Sequence, residues 1–260
     1  MTETIKASIY DYPQYYELLF GSDVAAENRF LKQCFEKHAG CSVNRVFEPA
    51  CGTGRLLVRL GRAGFAVAGN DLNERAVDYC NRRLVKAGLP ATVEVGDMAD
   101  FRTANGFDAA FNTINSFRHL STERQAAAHL QCIANGLSQG GLYILGIHLE
   151  PTDCQPMQEE CWSSRRGNLV VNSYMWSKGI DRRTRIEHLG MNIDVYTPTK
   201  HLQIEDHMEY RTYRREQFAS LLRKVPELEV AETYDFSYDI RRPIEITARS
   251  EDVVFVLRRR

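Results

Sequence analysis

Acidic residues and glycines recur along the first half of the chain where short apolar runs end. Glu48 precedes a glycine-rich loop over residues 50–54, Asp71 ends the next apolar run, and Asp97 follows a third. A carboxylate at a strand end can accept hydrogen bonds from both hydroxyls of a ribose, and one such as Asp97 can accept from an adenine amine. A glycine loop lets the backbone approach a ligand because Gly has no Cβ. This pattern indicates binding of an adenosine-containing ligand.

The glycine loop departs from the dinucleotide fingerprint. A G-x-G-x-x-G motif would continue from Gly52 and Gly54 to a glycine at position 57, where Leu57 stands. The first position of the longer pattern is Ala50. Glu48 would repel a pyrophosphate but suits a ligand that carries an ammonium group. An NAD-dependent oxidoreductase is therefore disfavoured.

The elements that must position these residues alternate between strand and helix. The spacing of apolar residues, together with turn residues, predicts strands over 43–48, 66–71, 91–95, 107–112 and 141–149. The same signals predict helices over 55–63, 73–87 and 122–137. Strands separated by helices form parallel βαβ units, and such sheets bind ligands at the carboxyl ends of their strands.

The pattern changes after Pro151. Three segments with period-two alternation and one polar face predict antiparallel strands over 168–176, 185–195 and 201–213, the last two joined by a hairpin at 197–200. A helix over 216–224 and strands over 228–234 and 252–257 then return to the first sheet. The expected fold is α/β, with a Rossmann-like, doubly wound, seven-stranded sheet that is mostly parallel, has an antiparallel edge strand and carries an inserted antiparallel β cover.

We divide the chain accordingly into an N-terminal helical cover, a two-part binding domain and an insertion. The expected bounds are 1–42 for the cover, 43–150 with 214–260 for the binding domain, and 151–213 for the insertion. The insertion is a lid that contacts the substrate or a dimer interface, so a homodimer through it is one expected assembly.

The ordered set of strand-end residues resembles the class I S-adenosylmethionine (SAM)-dependent methyltransferase family. The matching segments are EPACGTG at 48–54, NDLN at 70–73, GDM at 96–98 and FDAAFNTINSF at 107–117. The resemblance covers residues 43–150 and extends more weakly over 216–258. It implies a methyltransferase that binds SAM and releases S-adenosylhomocysteine.

The resemblance also implies a cofactor contact for each matching residue. Glu48 would contact the methionine part of SAM, Ala50, Gly52 and Gly54 would line its passage, Asp71 would hold the ribose, Leu72 would lie beside the adenine, Asp97 and Met98 would meet the adenine edge, and the Asn112 carbonyl would face the ammonium group.

Two further segments resemble small-molecule methyltransferases, notably amino-sugar N,N-dimethyltransferases and the glycine N-methyltransferase type. In the N-terminal segment YYELLFGSDVAAENRFL, Tyr16 matches an aromatic that reaches the SAM carboxylate, and Glu17 replaces the usual Asp. The segment NSFRHL at 115–120 resembles a loop in which a histidine faces the acceptor amine.

We therefore predict methyl transfer to a small-molecule acceptor at an amine nitrogen. The amine must lose a proton, and His119 is the expected base, with His148 or a tyrosine of the cover in reserve. The open alternatives are an oxygen acceptor, a protein or peptide nitrogen, and a SAM-binding module without turnover.

Other polar and aromatic residues of the insertion have simpler interpretations. His188, His201 and His207 fit a solvated strand face, and no metal site is expected. Four large aromatics, Trp162, Tyr174, Trp176 and Tyr210, fit either a packing or dimer interface or an acceptor pocket.

The composition of the chain argues against nucleic-acid and membrane partners. The chain has 260 residues with 33 Lys and Arg against 34 Asp and Glu, so its net charge of -1 gives no basic field for nucleic acid. Seven cysteines without a C-x-x-C pair indicate reduced thiols and a cytoplasmic protein. The N-terminus has no signal-peptide pattern, and no apolar stretch reaches ~18 residues, so no membrane partner is expected.

Overall fold

The computed structural model describes residues 2–21 and 24–260, which form two β-sheets with helices around the larger one. In chain order, the strands of these residues are β1 (Thr2–Lys6), β2 (Arg45–Pro49), β3 (Ala66–Asp71), β4 (Val93–Val95), β5 (Phe107–Asn112), β6 (Leu137–His148), β7 (Glu159–Arg166), β8 (Leu169–Asp181), β9 (Ile186–Tyr196), β10 (His201–Arg211), β11 (Leu228–Tyr234) and β12 (Asp252–Arg259). The α-helices are α1 (Pro13–Phe20), α2 (Ala25–His38), α3 (Leu57–Arg62), α4 (Glu74–Lys86), α5 (Glu123–Gly136) and α6 (Arg215–Leu222).

The larger sheet has seven strands in the order β11-β12-β6-β5-β2-β3-β4. Strands β2 to β6 run parallel, while β12 is antiparallel to both β6 and β11. This arrangement confirms the predicted mostly parallel, seven-stranded α/β sheet. One detail differs from the expectation, because the antiparallel strand lies one position in from the edge.

Apolar clusters cover both faces of this sheet. On one face, α5 and α6 pack against β6 and β12, and on the other α2, α3 and α4 pack against β2, β3 and β5. All six residues of β5 are buried, as expected for a strand covered by helices on both sides. Helix α5 begins with a capping box in which the Thr122 hydroxyl accepts from the Gln125 amide.

The second sheet has five strands in the order β1-β10-β9-β8-β7. The segments predicted at 168–176, 185–195 and 201–213 form its antiparallel strands β8, β9 and β10, and a turn joins Thr197 to Lys200. Strand β7 had no sequence-based prediction. The N-terminal segment differs from the expected helical cover, since residues 2–6 form β1, which pairs in parallel with β10.

The N-terminal segment, residues 2–20, lies between the two sheets. After β1, the Ile9 amide donates a hydrogen bond to Asp206 Oδ2 at 2.9 Å, and both residues are buried. Ile9 and α1 then pack in the apolar cluster of the smaller sheet. The segment is therefore anchored where it can cover the edge of the larger sheet. In the described part of the chain, every helix is too short or too polar to cross a membrane.

Removing the Asp206 carboxylate tests this anchor. Asp206→Ala leaves the buried Ile9 amide without its acceptor, so we expect the free energy of unfolding to fall by about 1–3 kcal/mol. Denaturant titration measures the change, and Glu205→Ala, next to it on β10, is the control because the Glu205 side chain makes no hydrogen bond to described residues. Equal stability of the two variants would contradict the anchor.

Candidate active site

The carboxyl ends of β5, β2, β3 and β4 lie side by side, so the loops that follow them share one edge of the sheet. The order of connections reverses between β2 and β5, and ligands of doubly wound sheets bind at such a point. A cavity of about 490 Å³ opens there, which we call the strand-end cavity. Its lining residues are Ser8, Tyr10, Pro13, Tyr16, Ala50, Gly52, Thr53, Asp71, Leu72, Asn73, Ala76, Gly96, Met98, Ser116 and His119.

The loop after β2 has an unusual backbone. Ala50, Gly52 and Gly54 adopt φ values of 50°, 52° and 64°, in the left-handed region that glycine enters without strain. At position 54 a Cβ would also lie 2.2 Å from Cys80 Sγ, so only glycine fits. Ala50 takes the same conformation with a side chain. The loop consequently turns its backbone towards the cavity.

The Asp71 carboxylate joins the ends of β2 and β3. Its Oδ2 accepts from the Gly52 amide at 2.7 Å, and its Oδ1 accepts from the Asn73 amide at 2.8 Å. Burial raises the pKa of Asp71, and the two amide hydrogen bonds oppose that rise. Beside it, the Leu72 side chain is 70% exposed although it is apolar, so the cavity wall offers a bare apolar surface.

The structure separates the sequence-predicted residues into three groups, of which the first is His148, which lines a second cavity described below. Those that line the strand-end cavity are Tyr16, Ala50, Gly52, Asp71, Leu72, Met98 and His119. Four others line neither the strand-end cavity nor the second cavity described below, namely Glu48, Gly54, Asp97 and Asn112.

Glu48 and Asn112 lie buried just behind the cavity wall. Glu48 Oε2 and Asn112 Oδ1 have no hydrogen-bond partner among the described residues. Burial raises the pKa of Glu48 although Arg55 opposes the rise. Asn112 Nδ2 donates to the Pro49 carbonyl at 2.9 Å and so ties β5 to the end of β2. Buried polar atoms normally have partners, so these two oxygens are places where a ligand donor would be accommodated.

Asp97 shapes the turn after β4. Its Oδ1 accepts from the Ala99 amide at 2.8 Å, and the neighbours Gly96 and Met98 line the cavity while the carboxylate does not. The turn therefore presents residues on both sides of Asp97 to the cavity.

Buried ion pairs that sequence reasoning missed hold the N-terminal segment and the loop together. Glu17 Oε2 accepts from the Thr53 hydroxyl at 2.7 Å, and Glu17 also pairs with Arg83. Arg83 donates in turn to the Thr53 carbonyl at 2.6 Å. Glu17 thus fixes α1 to the loop. No local pattern reveals these contacts, because Glu17 is 36 and 66 residues away from its partners.

A second buried pair lies deeper. Glu27 on α2 forms a two-pronged ion pair with Arg55, which also donates to the Thr113 hydroxyl at 3.0 Å. All three residues are buried. Removing one partner of such a pair leaves an uncompensated buried charge, so each depends on the other.

A second cavity of about 400 Å³ lies between the two sheets, and we call it the inter-sheet cavity. It shares Tyr10, Tyr16 and Ser116 with the strand-end cavity, so the two spaces adjoin. Its other aromatic lining residues are Phe20, Trp162, Trp176, Tyr210, Phe236 and Tyr238. Of the four aromatics singled out in the sequence, only Tyr174 does not line it. Tyr174 stacks on Trp176 with ring centroids 5.3 Å apart.

Carboxylates also line the inter-sheet cavity. Three of them are bound by arginines, in the pairs Glu27 with Arg55, Glu150 with Arg182 and Glu187 with Arg118. Four others form no ion pair with a lysine or arginine of the described residues, namely Glu159, Glu160, Glu251 and Asp252. Burial, together with the nearby Asp252 charge, raises the pKa of Glu160 to about 7. This wall is therefore electronegative.

The two candidate catalytic histidines lie in different cavities. His119 lines the strand-end cavity, with its Nε2 at 2.9 Å from the Tyr10 hydroxyl. His148 lines the inter-sheet cavity, with its Nε2 at 3.2 Å from Asp252 Oδ1. Burial, helped by the Arg118 charge, lowers the pKa of each histidine to about 4. Both imidazoles are consequently neutral at pH 7.

The three histidines of the insertion have separate partners. His188 lies near Glu209, His201 near Asp194, and His207 near Lys178. Among residues 2–21 and 24–260, no group of three or more His, Cys, Asp or Glu side chains is placed to hold a metal ion.

Comparisons with known proteins agree with this geometry. A family model described as a methyltransferase domain matches residues 46–141. A dTDP-3-amino-3,4,6-trideoxy-alpha-D-glucopyranose N,N-dimethyltransferase of Streptomyces venezuelae is 28% identical over 138 residues, which span 52% of this chain and 56% of the relative.

Solved structures share the fold over nearly the whole chain. Streptomyces venezuelae DesVI has a TM-score of 0.77 at 20% identity, covering 96% of this chain and 99% of that one. An S-adenosylmethionine-dependent methyltransferase from Clostridium acetobutylicum has a TM-score of 0.76 at 17% identity, covering 95% and 97%.

The matched domain comprises the strand ends that build the strand-end cavity, and the remaining strands complete the same fold. Residues 46–141 therefore match a methyltransferase domain, and the chain as a whole has the fold of solved S-adenosylmethionine-dependent methyltransferases.

Proposed function

We propose that the protein transfers the methyl group of SAM to an amine nitrogen of a small-molecule acceptor. The observation that carries this proposal is the pair of adjoining cavities, one at the strand ends and one between the sheets, with Tyr10, Tyr16 and Ser116 in their common wall. SAM supplies an electrophilic methyl on a sulfonium. The protein therefore has to hold an acceptor in line with it and exclude water, and it needs no nucleophile of its own.

The strand-end cavity has the donors and acceptors that SAM requires. Each Asp71 oxygen accepts one backbone amide and keeps lone pairs that could accept a ribose hydroxyl. The bare Leu72 side chain is an apolar surface that an adenine ring would cover, opposite the turn that contains Met98. Near the loop, the unpartnered Glu48 oxygen suits the ammonium group of the methionine part.

The remaining cofactor residues are proposed in the same roles as the sequence implied. Tyr16 would reach the SAM carboxylate, and Ala50, Gly52 and Gly54 would let the chain pass close to the backbone. Asp97 would act at the adenine edge and the Asn112 carbonyl at the ammonium group. All of these residues except Tyr16 lie at or just after the carboxyl ends of strands, and Gly54 and Asn112 are buried there, which supports these roles.

The inter-sheet cavity favours a cationic acceptor. Aromatic faces and carboxylates together attract ammonium groups, and four carboxylates of this wall have no arginine or lysine partner in the described part of the chain. Arg118, the cation in the lining, is already bound to Glu187. A diphosphate group would be repelled by this wall, so we propose an acceptor amine without phosphate groups, unlike the nucleotide-linked sugar in the relative's name.

His119 and Tyr10 are proposed to contact the reacting nitrogen. Burial keeps the pKa of Tyr10 well above its ordinary value, so its hydroxyl stays protonated beside the neutral His119. An alkylammonium, with a pKa of about 10, holds its proton far more tightly than an imidazole of pKa about 4. The acceptor therefore reacts as the free amine, with His119 and Tyr10 orienting it through hydrogen bonds. His148, which lines the inter-sheet cavity, is the reserve candidate for the same role.

The activity itself can be measured with the full chain, SAM and matched acceptors. We expect S-adenosylhomocysteine and a methylated product from aromatic or alkyl amines, and neither from the corresponding alcohols. Mass spectrometry of the product locates the methyl group. Turnover of alcohols alone would favour an oxygen acceptor, and S-adenosylhomocysteine binding without any product would favour a binding module.

Asp71 is the sharpest test of the cofactor site. Asp71→Ala removes both proposed ribose acceptors and the hydrogen bond that holds the Gly52 amide. We therefore expect the Kd of S-adenosylhomocysteine to rise at least about 30-fold, as for loss of two hydrogen bonds. Isothermal titration calorimetry measures it. Asp78→Ala, which removes the same charge from an exposed position on α4, should bind normally. Unchanged affinity in folded Asp71→Ala would remove ribose binding from this residue.

Glu160 tests the electronegative wall. Because the pKa of Glu160 is about 7, its carboxyl is neutral at pH 6 and charged at pH 8. Binding of benzyltrimethylammonium, whose charge does not change with pH, should therefore tighten as the pH rises through 7, and Glu160→Gln should flatten that dependence. A fluorescence titration between pH 6 and 8 follows it. The same slope in both proteins would show that Glu160 does not face the ligand.

A further inference from the structure

A fully buried histidine lies behind the strand-end cavity and has no part in the function proposed so far. His129 on α5 is 0% exposed. Its Nδ1 lies 2.8 Å from the Met98 carbonyl oxygen, and its Nε2 lies 2.7 Å from the Tyr143 hydroxyl on β6. One imidazole therefore connects the central sheet with the turn that lines the cavity.

The partners of His129 define its tautomer. A carbonyl oxygen can only accept, so Nδ1 carries the hydrogen and donates to Met98. Nε2 is then a lone-pair acceptor, and the Tyr143 hydroxyl donates to it. Burial lowers the pKa of His129 to about 4 and raises that of Tyr143, so both groups are neutral at pH 7. The hydrogen bonds accordingly run in one direction, from Tyr143 through His129 to Met98.

The turn that receives this chain of hydrogen bonds is held on its other side as well. The Ala99 amide donates to Asp97 Oδ1, and the Asp100 amide donates to the Asp97 carbonyl. Met98 is 7% exposed and lines the strand-end cavity. The Met98 carbonyl is thus the point at which the protein core sets the position of the cavity wall.

We propose that His129 is a positioning residue of the cofactor site, which fixes the Met98 backbone so that the turn can read the edge of the adenine ring. The proposal rests on the placement of adenine against Leu72 and Met98 made above. Leucine at position 129 would leave the buried Met98 carbonyl without a donor, and the turn would then have to shift to satisfy it.

Two substitutions of His129 distinguish the effect of losing its hydrogen bond to Met98 from the effect of changing the volume of its side chain. We expect His129→Leu to raise the Kd of S-adenosylhomocysteine about tenfold, the effect of one lost hydrogen bond. His129→Gln keeps a donor for Met98 and an acceptor for Tyr143, so it should stay within about threefold of the parent. Calorimetry gives both values, and thermal unfolding identifies the variants that are folded.

Tyr143→Phe tests the hydrogen bond on the other side of His129. Without the Tyr143 hydroxyl, His129 Nε2 loses its donor and the imidazole is held only through Nδ1, so affinity should fall less than in His129→Leu. Tyr143→Phe combined with His129→Leu should be no worse than His129→Leu alone. Tyr213→Phe is the matched control. Tyr213 is fully buried in the same apolar cluster as Tyr143, on the α5 and α6 face of the larger sheet, and its hydroxyl has no partner among the described residues.

Discrimination between bases provides a readout that general destabilisation would not move. S-inosylhomocysteine differs from S-adenosylhomocysteine at the 6-position of the ring, and the parent protein should prefer the adenine form. His129→Leu should reduce that preference and His129→Gln should retain it. The proposal is overturned if folded His129→Leu keeps both the parent affinity and the parent preference. If the parent protein itself binds no S-adenosylhomocysteine, the cofactor placement fails instead.

Discussion

The hydrogen bonds of the Asp71 carboxylate are the constraint on which the rest of the site depends. One oxygen holds the Gly52 amide and the other the Asn73 amide, so the loop after β2 and the start of α4 are fixed to the end of β3. Keeping a carboxylate there is unfavourable, since burial raises its pKa. The two amides offset that cost and give the ligand edge of the sheet a defined shape before any ligand arrives.

The N-terminal segment depends on that shape and completes it. Glu17 bonds to Thr53 of the loop, while Ile9 bonds to Asp206 of the smaller sheet. The segment therefore touches both sheets, and its Tyr10 and Tyr16 form the common wall of the two cavities. A methyl group held at the strand ends and an acceptor held between the sheets would meet across side chains from this one short stretch.

The sequence predicted the strands and helices of the larger sheet closely, because apolar runs and capping residues within each segment mark where it begins and ends. Strand β3 begins and ends where the apolar run over 66–71 does, and α5 starts at a capping residue that the sequence displays. The cavity residue Asp71 followed from the same strand ends, whereas Leu72 and Met98 followed from the resemblance to S-adenosylmethionine-dependent methyltransferases. Strand β7 was missed because its sequence, EECWSSRR, is mostly polar and lies on a partly exposed sheet edge. The buried pair of Glu27 and Arg55 was missed because only the folded chain brings those residues together.

The pairing of β1 with β10 has a consequence for how the enzyme assembles. Thr2 lies opposite His201, so the contact closes a loop of about 200 residues, and loop closure on that scale is slow and entropically unfavourable. On a ribosome, the strand-end loops over 48–98 emerge and can fold long before β10 is synthesised. Because β1 pairs with β10, the wall that the N-terminal segment forms over the cofactor half of the active site can be completed only after β10 has been made.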